Sequence, residues 1–152
     1  MLARILKTEA VTVLALLTAL LALFPAVAMA EFSAGVARDF MHSTQADALA
    51  LRYDWRTFNL GGQALAWNGK DGSNGAVSVD YNLLGFFDIP VDFDLGAAYI
   101  ARITRINGSN LNFDLTGAVN VGHFRIFLVH FSNAGIAPPN PGWNFAGLAW
   151  RF

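Results

Sequence analysis

The sequence predicts an all-β fold, an eight-stranded antiparallel transmembrane β-barrel of outer-membrane type that follows an N-terminal signal peptide. Three observations predict it. Hydrophobic residues make up 55% of the chain and charged ones 14%, against roughly a quarter charged in an ordinary soluble domain. Beyond the first thirty residues no apolar run approaches the ~20 residues that a membrane helix requires, and the apolar residues instead recur at every second position. The chain also stops on an aromatic, with Leu148, Trp150 and Phe152 on one face of its last segment. A greasy chain without membrane helices has one other way to satisfy its backbone in lipid, which is to close a sheet on itself.

The N-terminal segment reads as an address. Arg4 and Lys7 give a positive start, Val11 to Val27 is almost wholly apolar, and Ala28-Met29-Ala30 has the small-x-small pattern of a cleavage site. A signal peptide over residues 1–30 is therefore expected, with the barrel domain over 31–152. An uncleaved anchor helix is the alternative, and Pro25 with the Ala-x-Ala ending argues against it. The chain has no cysteine, which removes disulfides and thiolate metal sites. Its net charge of −1, with no Lys/Arg cluster, excludes a basic nucleic-acid binder.

Strands follow from the two-residue period. The first and less clean run lies at about 32–40, and Leu49, Leu51, Tyr53 and Trp55 then oppose Ala48, Ala50, Arg52 and Asp54. A third run is expected at about 58–67. From Gly75 onward, Val77, Val79 and Tyr81 oppose Ala76, Ser78 and Asp80. From Val91, Phe93, Leu95 and Tyr99 oppose Asp92, Asp94 and Ala98, and from Leu111, Phe113, Leu115 and Val119 oppose Asn112, Asp114 and Thr116. The last two runs are expected at about 122–132 and 143–152. Turn residues separate these segments: Asn68 to Gly75, Asp88-Ile89-Pro90, Asn107 to Asn110, and the Pro-rich stretch 137–142.

A soluble barrel would turn the apolar face inward, whereas a membrane barrel reverses it. The polar face here is largely Ala, Gly, Ser and Asn, small enough for a narrow lumen. Its charges have both signs (Arg52, Asp54, Asp80, Asp92, Asp94, Asp114, Arg125, Arg151), as an internally paired network requires. Lys70 is the one lysine after the N-terminal segment, whereas a water-facing surface normally carries many. The outer membrane of a Gram-negative cell is the expected location.

With the N-terminus on the inner side, odd-numbered strands run outward and the last connection is external. That connection begins His130-Phe131-Ser132-Asn133-Ala134-Gly135 and continues to Pro139-Asn140-Pro141-Gly142. Residues i and i+2 of a strand share a face at roughly 6.5–7 Å between Cα atoms, so an imidazole at 130 can reach a hydroxyl at 132. Phe124, Ile126 and Leu128 put the lipid side on even numbers, which places His130 and Ser132 on the outer wall at the outer end of their strand. A titratable His on a lipid-facing wall points to chemistry, and a hydrogen-bonded imidazole is what turns a serine into a nucleophile.

The 130–142 segment resembles the signature of the lipid A 3-O-deacylase (PagL-type) family of outer-membrane acyl-ester hydrolases. The match is dense over about thirteen residues, and elsewhere the likeness is one of length, signal and barrel pattern. The resemblance implies a serine esterase acting on lipid A or lipopolysaccharide of the outer leaflet, on an acyl ester expected to be 3-O-linked. It implies Ser132 as nucleophile, His130 as general base, and oxyanion stabilisation by Asn133 and Gly135, with no cofactor and no metal. The family's third member is a Glu, and that position is Asn144 here; an amide can orient the imidazole without neutralising its charge. No acidic residue follows Asp114.

Turn formation alone is the alternative for Asn133 and Gly135, and it is preferred for Pro138, Pro139, Pro141 and Gly142; Asn140 fits either role. His42 reads as a solvated hairpin residue and His123 as a luminal one. Neither has a companion at metal-ligand spacing. Two rival functions remain open at this point. One is a catalytically weak or inactive barrel with a structural or adhesive role, for which Asn144 speaks; the other is a pore, which eight strands leave little room for. A homodimer is compatible with the sequence, and nothing in it decides the oligomeric state.

Overall fold

The computed structural model describes residues 30–138 and 140–152. The predicted signal peptide therefore lies outside the described residues, except for Ala30, where the first strand begins. Eight strands form: β1 (Ala30–Asp39), β2 (Asp47–Trp55), β3 (Leu60–Gly69), β4 (Gly72–Asn82), β5 (Val91–Ile100), β6 (Leu111–Val121), β7 (Phe124–Ser132) and β8 (Trp143–Arg151). Each pairs antiparallel with the next, and β8 returns to pair with β1, so the sheet closes without an edge. One rim carries Ala30 and Phe152, the termini of the described barrel. The other, called the outer rim below, carries the β1–β2, β3–β4, β5–β6 and β7–β8 connections.

The side-chain polarity is that of a barrel in lipid. Along β7, Arg125, Phe127, Val129 and Phe131 are buried inside, while Phe124, Ile126 and Leu128 are exposed on the wall. Leu49, Val79, Tyr99, Leu111 and Trp150 are likewise exposed on neighbouring strands. An apolar belt of this kind is stable against hydrocarbon and not against water.

The lumen has two zones. Toward the rim that carries the termini it holds the expected charge network. Arg52 makes a two-pronged contact with Asp80 at 2.9 Å on both prongs, reaches Asp54 at 2.7 Å and lies 3.0 Å from Asp94. Asp94 also receives Arg125 at 3.2 Å, and Arg125 pairs with Asp92. Among the described residues Asp114 pairs with no cation and is met instead by Ser78, Gln63 and Thr116. Toward the outer rim the lumen is filled by Trp67, Phe131, Trp143 and Phe145, with the rings of Trp67, Trp143 and Phe145 in mutual contact at 5.1–5.8 Å between centroids. An open channel is incompatible with that packing.

Replacing Arg52 would leave Asp80 and Asp94 facing each other without their shared cation. Arg52→Met is therefore expected to cost about 3–5 kcal/mol, read as a lowered urea midpoint of the folded band on unheated gels.

Two histidines depart from the sequence reading. His42 is not solvated: its Nδ1 sits 3.0 Å from Asp39, and its ring packs edge-on against Trp143 with 15% of the side chain exposed. The first outer loop folds back over the lumen, which a hairpin estimate from sequence misses. His123 is not luminal either. It lies in the tight β6–β7 turn, where parity no longer applies, and stacks on Trp150 of the outer wall at 4.9 Å.

Candidate active site

β7 delivers His130 and Ser132 to the outer wall at the outer rim, as their parity predicts. The strand register puts Leu115, His130 and Asn144 in one row across β6, β7 and β8, with Phe113 opposite Ser132 in the next. All three candidate residues are partly exposed on the side that also carries Leu128 and Leu148. The arrangement therefore opens sideways, toward lipid.

His130 and Asn144 meet directly. His130 Nδ1 lies 2.8 Å from Asn144 Oδ1, and Asn144 Nδ2 donates to Gly142 O at 3.1 Å. The second bond fixes which end of the amide faces the ring. A carbonyl oxygen opposite Nδ1 requires a proton there, so in the neutral ring Nε2 is the nitrogen that carries the lone pair. The orienting role expected of Asn144 has this geometric support. Gly142, read from sequence as a loop former, packs against the same ring. A Cβ on it would lie 2.6 Å from His130 Cε1 and 2.8 Å from Phe131 O, and its φ of +73° is left-handed. Gly142→Ala is expected to displace the imidazole and lower kcat about 100-fold, with the barrel still folded by gel mobility.

Ser132 faces the β7–β8 loop. Its Oγ lies 2.9 Å from the Asn140 carboxamide and accepts from the Ala134 N–H at 3.2 Å. No hydrogen bond joins it to His130 among the described residues. Ala134 and Gly135 both have left-handed backbone, at φ 54° and 79°. This bend gathers N–H groups at one point. The carboxamide atom of Asn140 nearest Ser132 is 3.1, 3.3 and 3.2 Å from the nitrogens of Asn133, Ala134 and Gly135. Three donors against one acceptor, the Asn133 side-chain oxygen at 2.6 Å, favour an oxygen at that point. A carbonyl oxygen is thus accommodated within reach of the hydroxyl.

The Asn133 side chain is used elsewhere. Its Nδ2 donates to Asn107 O and Ala137 O, both at 3.0 Å, and its Oδ1 accepts from the Gly135 N–H at 3.0 Å. It braces the bend, leaving its main chain as the donor. The β5–β6 loop completes the support, since Ile106 O receives the Gly142 N–H at 2.9 Å. Sequence reasoning left Asn140 open between a turn and a functional role, read Gly142 only as a loop former, and missed this loop contact. A glycine straight after Asn-Pro was the available signal for Gly142, whereas nothing local in the sequence points to Ile106. Among the described residues no group of three or more His, Asp or Glu is placed to hold a metal ion.

Known proteins bear on this geometry in two ways. The chain is similar to a solved structure described as the crystal structure of the outer membrane enzyme PagL. Identity is 22% and the TM-score 0.55, over 80% of this chain and 98% of that one. At that identity the likeness shows the shared barrel. No curated protein matches the chain. The family model described as lipid A 3-O-deacylase (PagL) matches residues 32–152, which takes in all eight strands but the first two residues of β1. This outer-membrane barrel belongs to the lipid A 3-O-deacylase (PagL) family.

Proposed function

We propose that the protein hydrolyses an acyl ester of lipid A, the 3-O-linked chain, by a serine–histidine mechanism in the outer leaflet. The observation that carries this reading is the convergence of three main-chain N–H groups beside Ser132 Oγ, at a point already filled by a carboxamide. A substrate carbonyl oxygen entering there would displace Asn140 and be polarised by the same donors. In the first step Oγ attacks the ester carbonyl carbon and His130 Nε2 takes its proton. The oxyanion forms in the bend of Asn133, Ala134 and Gly135, where each well-placed donor is worth about 3–4 kcal/mol. His130 then protonates the departing sugar oxygen, and water attacks the acyl-serine with the histidine again as base. Asn144 acts through His130, holding its tautomer.

The wall position supports a membrane substrate: the sugar–acyl junction of lipid A would lie level with the outer rim while its chains run down past Leu128 and Leu148. Export by a cleaved signal peptide belongs to the same reading. The second reading, an inactive barrel, is favoured by Asn144, because a neutral amide leaves the imidazolium uncompensated.

Mass spectrometry of lipid A from a Gram-negative host expressing the full chain tests the choice. Loss of one hydroxyacyl chain with the wild type, absent with Ser132→Ala, is the expected result. Unchanged lipid A beside a folded barrel would favour the inactive scaffold.

A further inference from the structure

The β5–β6 loop, residues 101–110, is set apart by its charge. It carries Arg102 and Arg105 and no Asp or Glu, and beyond it no carboxylate follows Asp114. The loop is stiff. Asn107, fully buried, accepts from the Thr104 N–H at 3.0 Å through its side-chain oxygen and donates to Arg102 O and Ser109 O. It is also fastened to the candidate active site, through Ile106 O to Gly142 and Asn107 O to Asn133.

Arg105 stands on this support next to Ile106. It is exposed, and it makes no hydrogen bond or ion pair among the described residues. Arg102 is half committed: its Nη1 donates to Ser73 O at 2.8 Å, and its main chain is held by Asn74 at 2.9 and 3.0 Å. The other rim cations are differently placed. Arg38 is neutralised by Asp47 at 2.7 Å, and Lys70 belongs to the separate β3–β4 turn. An unpaired guanidinium on a rigid loop, one residue from a main-chain bond to Gly142, is suited to an anion presented from the headgroup layer.

We propose that Arg105, assisted by Arg102, binds a phosphate group of the glycolipid substrate and thereby orients the sugar over Ser132. The inference rests on the lipid A reading above and adds the feature of the substrate that is recognised. Arg105 is a positioning residue. Its planar fork matches two phosphate oxygens, and it lies outside the reacting groups. Rigid placement keeps the ordering cost of binding low.

The test uses the purified full chain folded in neutral detergent. Binding of two probes in mixed micelles is measured: bis-phosphorylated lipid A and the same lipid after phosphatase treatment. Arg105→Gln is expected to weaken binding of the phosphorylated probe about tenfold and to leave the dephosphorylated probe unaffected. Arg105→Lys should recover part of the loss, as a point charge without the fork. Unchanged affinity for the phosphorylated lipid, or an equal loss for both probes, overturns the proposal. Inorganic phosphate should displace the phosphorylated probe better than chloride at equal ionic strength, as a fork matched to phosphate oxygens requires; equal competition by the two ions would overturn the proposal. Hydrolysis of a neutral p-nitrophenyl acyl ester is followed in parallel. An inactive wild type that still prefers the phosphorylated lipid would refute the esterase reading alone. An active one without that preference would refute this inference alone.

Discussion

Ser132→Ala and His130→Ala are each expected to lower ester hydrolysis by on the order of 10⁴-fold or more, and the double variant by no more than the worse single one. In the proposed mechanism the two groups form one device: without the hydroxyl there is nothing for the imidazole to deprotonate, and without the imidazole the hydroxyl is a poor nucleophile at neutral pH. Non-additivity is therefore the decisive readout, because two independent structural defects would multiply instead. Single-turnover kinetics on a micellar acyl ester would measure it, with the folded fraction checked by gel mobility. His130 and Ser132 both sit on the outer wall away from the luminal packing, so neither substitution opens a cavity in the barrel. Multiplicative losses in the double variant would reject the shared role.

Asn144→Glu is expected to raise kcat about tenfold. The existing contact of 2.8 Å between His130 Nδ1 and Asn144 Oδ1 already selects the ring's tautomer, so the geometric half of the task is done. What an amide lacks is charge to balance the imidazolium that would form in the proposed attack by Ser132. A hydrogen bond to a charged partner is worth about 1–2 kcal/mol more than a neutral one, which corresponds to roughly a tenfold gain at 1.36 kcal/mol per decade. Asn144→Leu removes orientation as well and is expected to lose on the order of 100-fold. The ordering Glu above Asn above Leu in kcat, with KM little changed, marks a residue acting through the base. If Glu and Asn give equal rates, tautomer control alone accounts for position 144.

The barrel was legible in the sequence because one rule, alternation, governs nearly every strand. The polar face of β4 to β6 announced the lumen, and Arg52 and Arg125 found their carboxylates there. Parity also carried His130, Ser132 and Asn144 to the same wall, where the register aligns the first and last of them. The limits have equally physical causes. His123 was misread because alternation stops at a turn. His42 was misread because its loop folds onto Trp143, a contact spanning about a hundred residues of chain. The convergence at Asn140 depends on left-handed backbone at Ala134, a conformation that alanine's identity does not advertise. Gly142 was read as a turn former, yet its missing side chain is what admits the ring of His130.

The aromatic packing of Trp67, Phe131, Trp143 and Phe145 in the outer half of the lumen bears on the second half of the reaction. With the outer half of the lumen so filled, an acyl-serine of the proposed mechanism would not be reached through the cylinder. In that mechanism the hydrolytic water would arrive from the medium above the sugar layer, by the way the departing saccharide has just cleared. Turnover would then depend on how deeply the cylinder rides in the leaflet, and a bilayer that thickens around it would slow release of the fatty acid without touching a single side chain of the site.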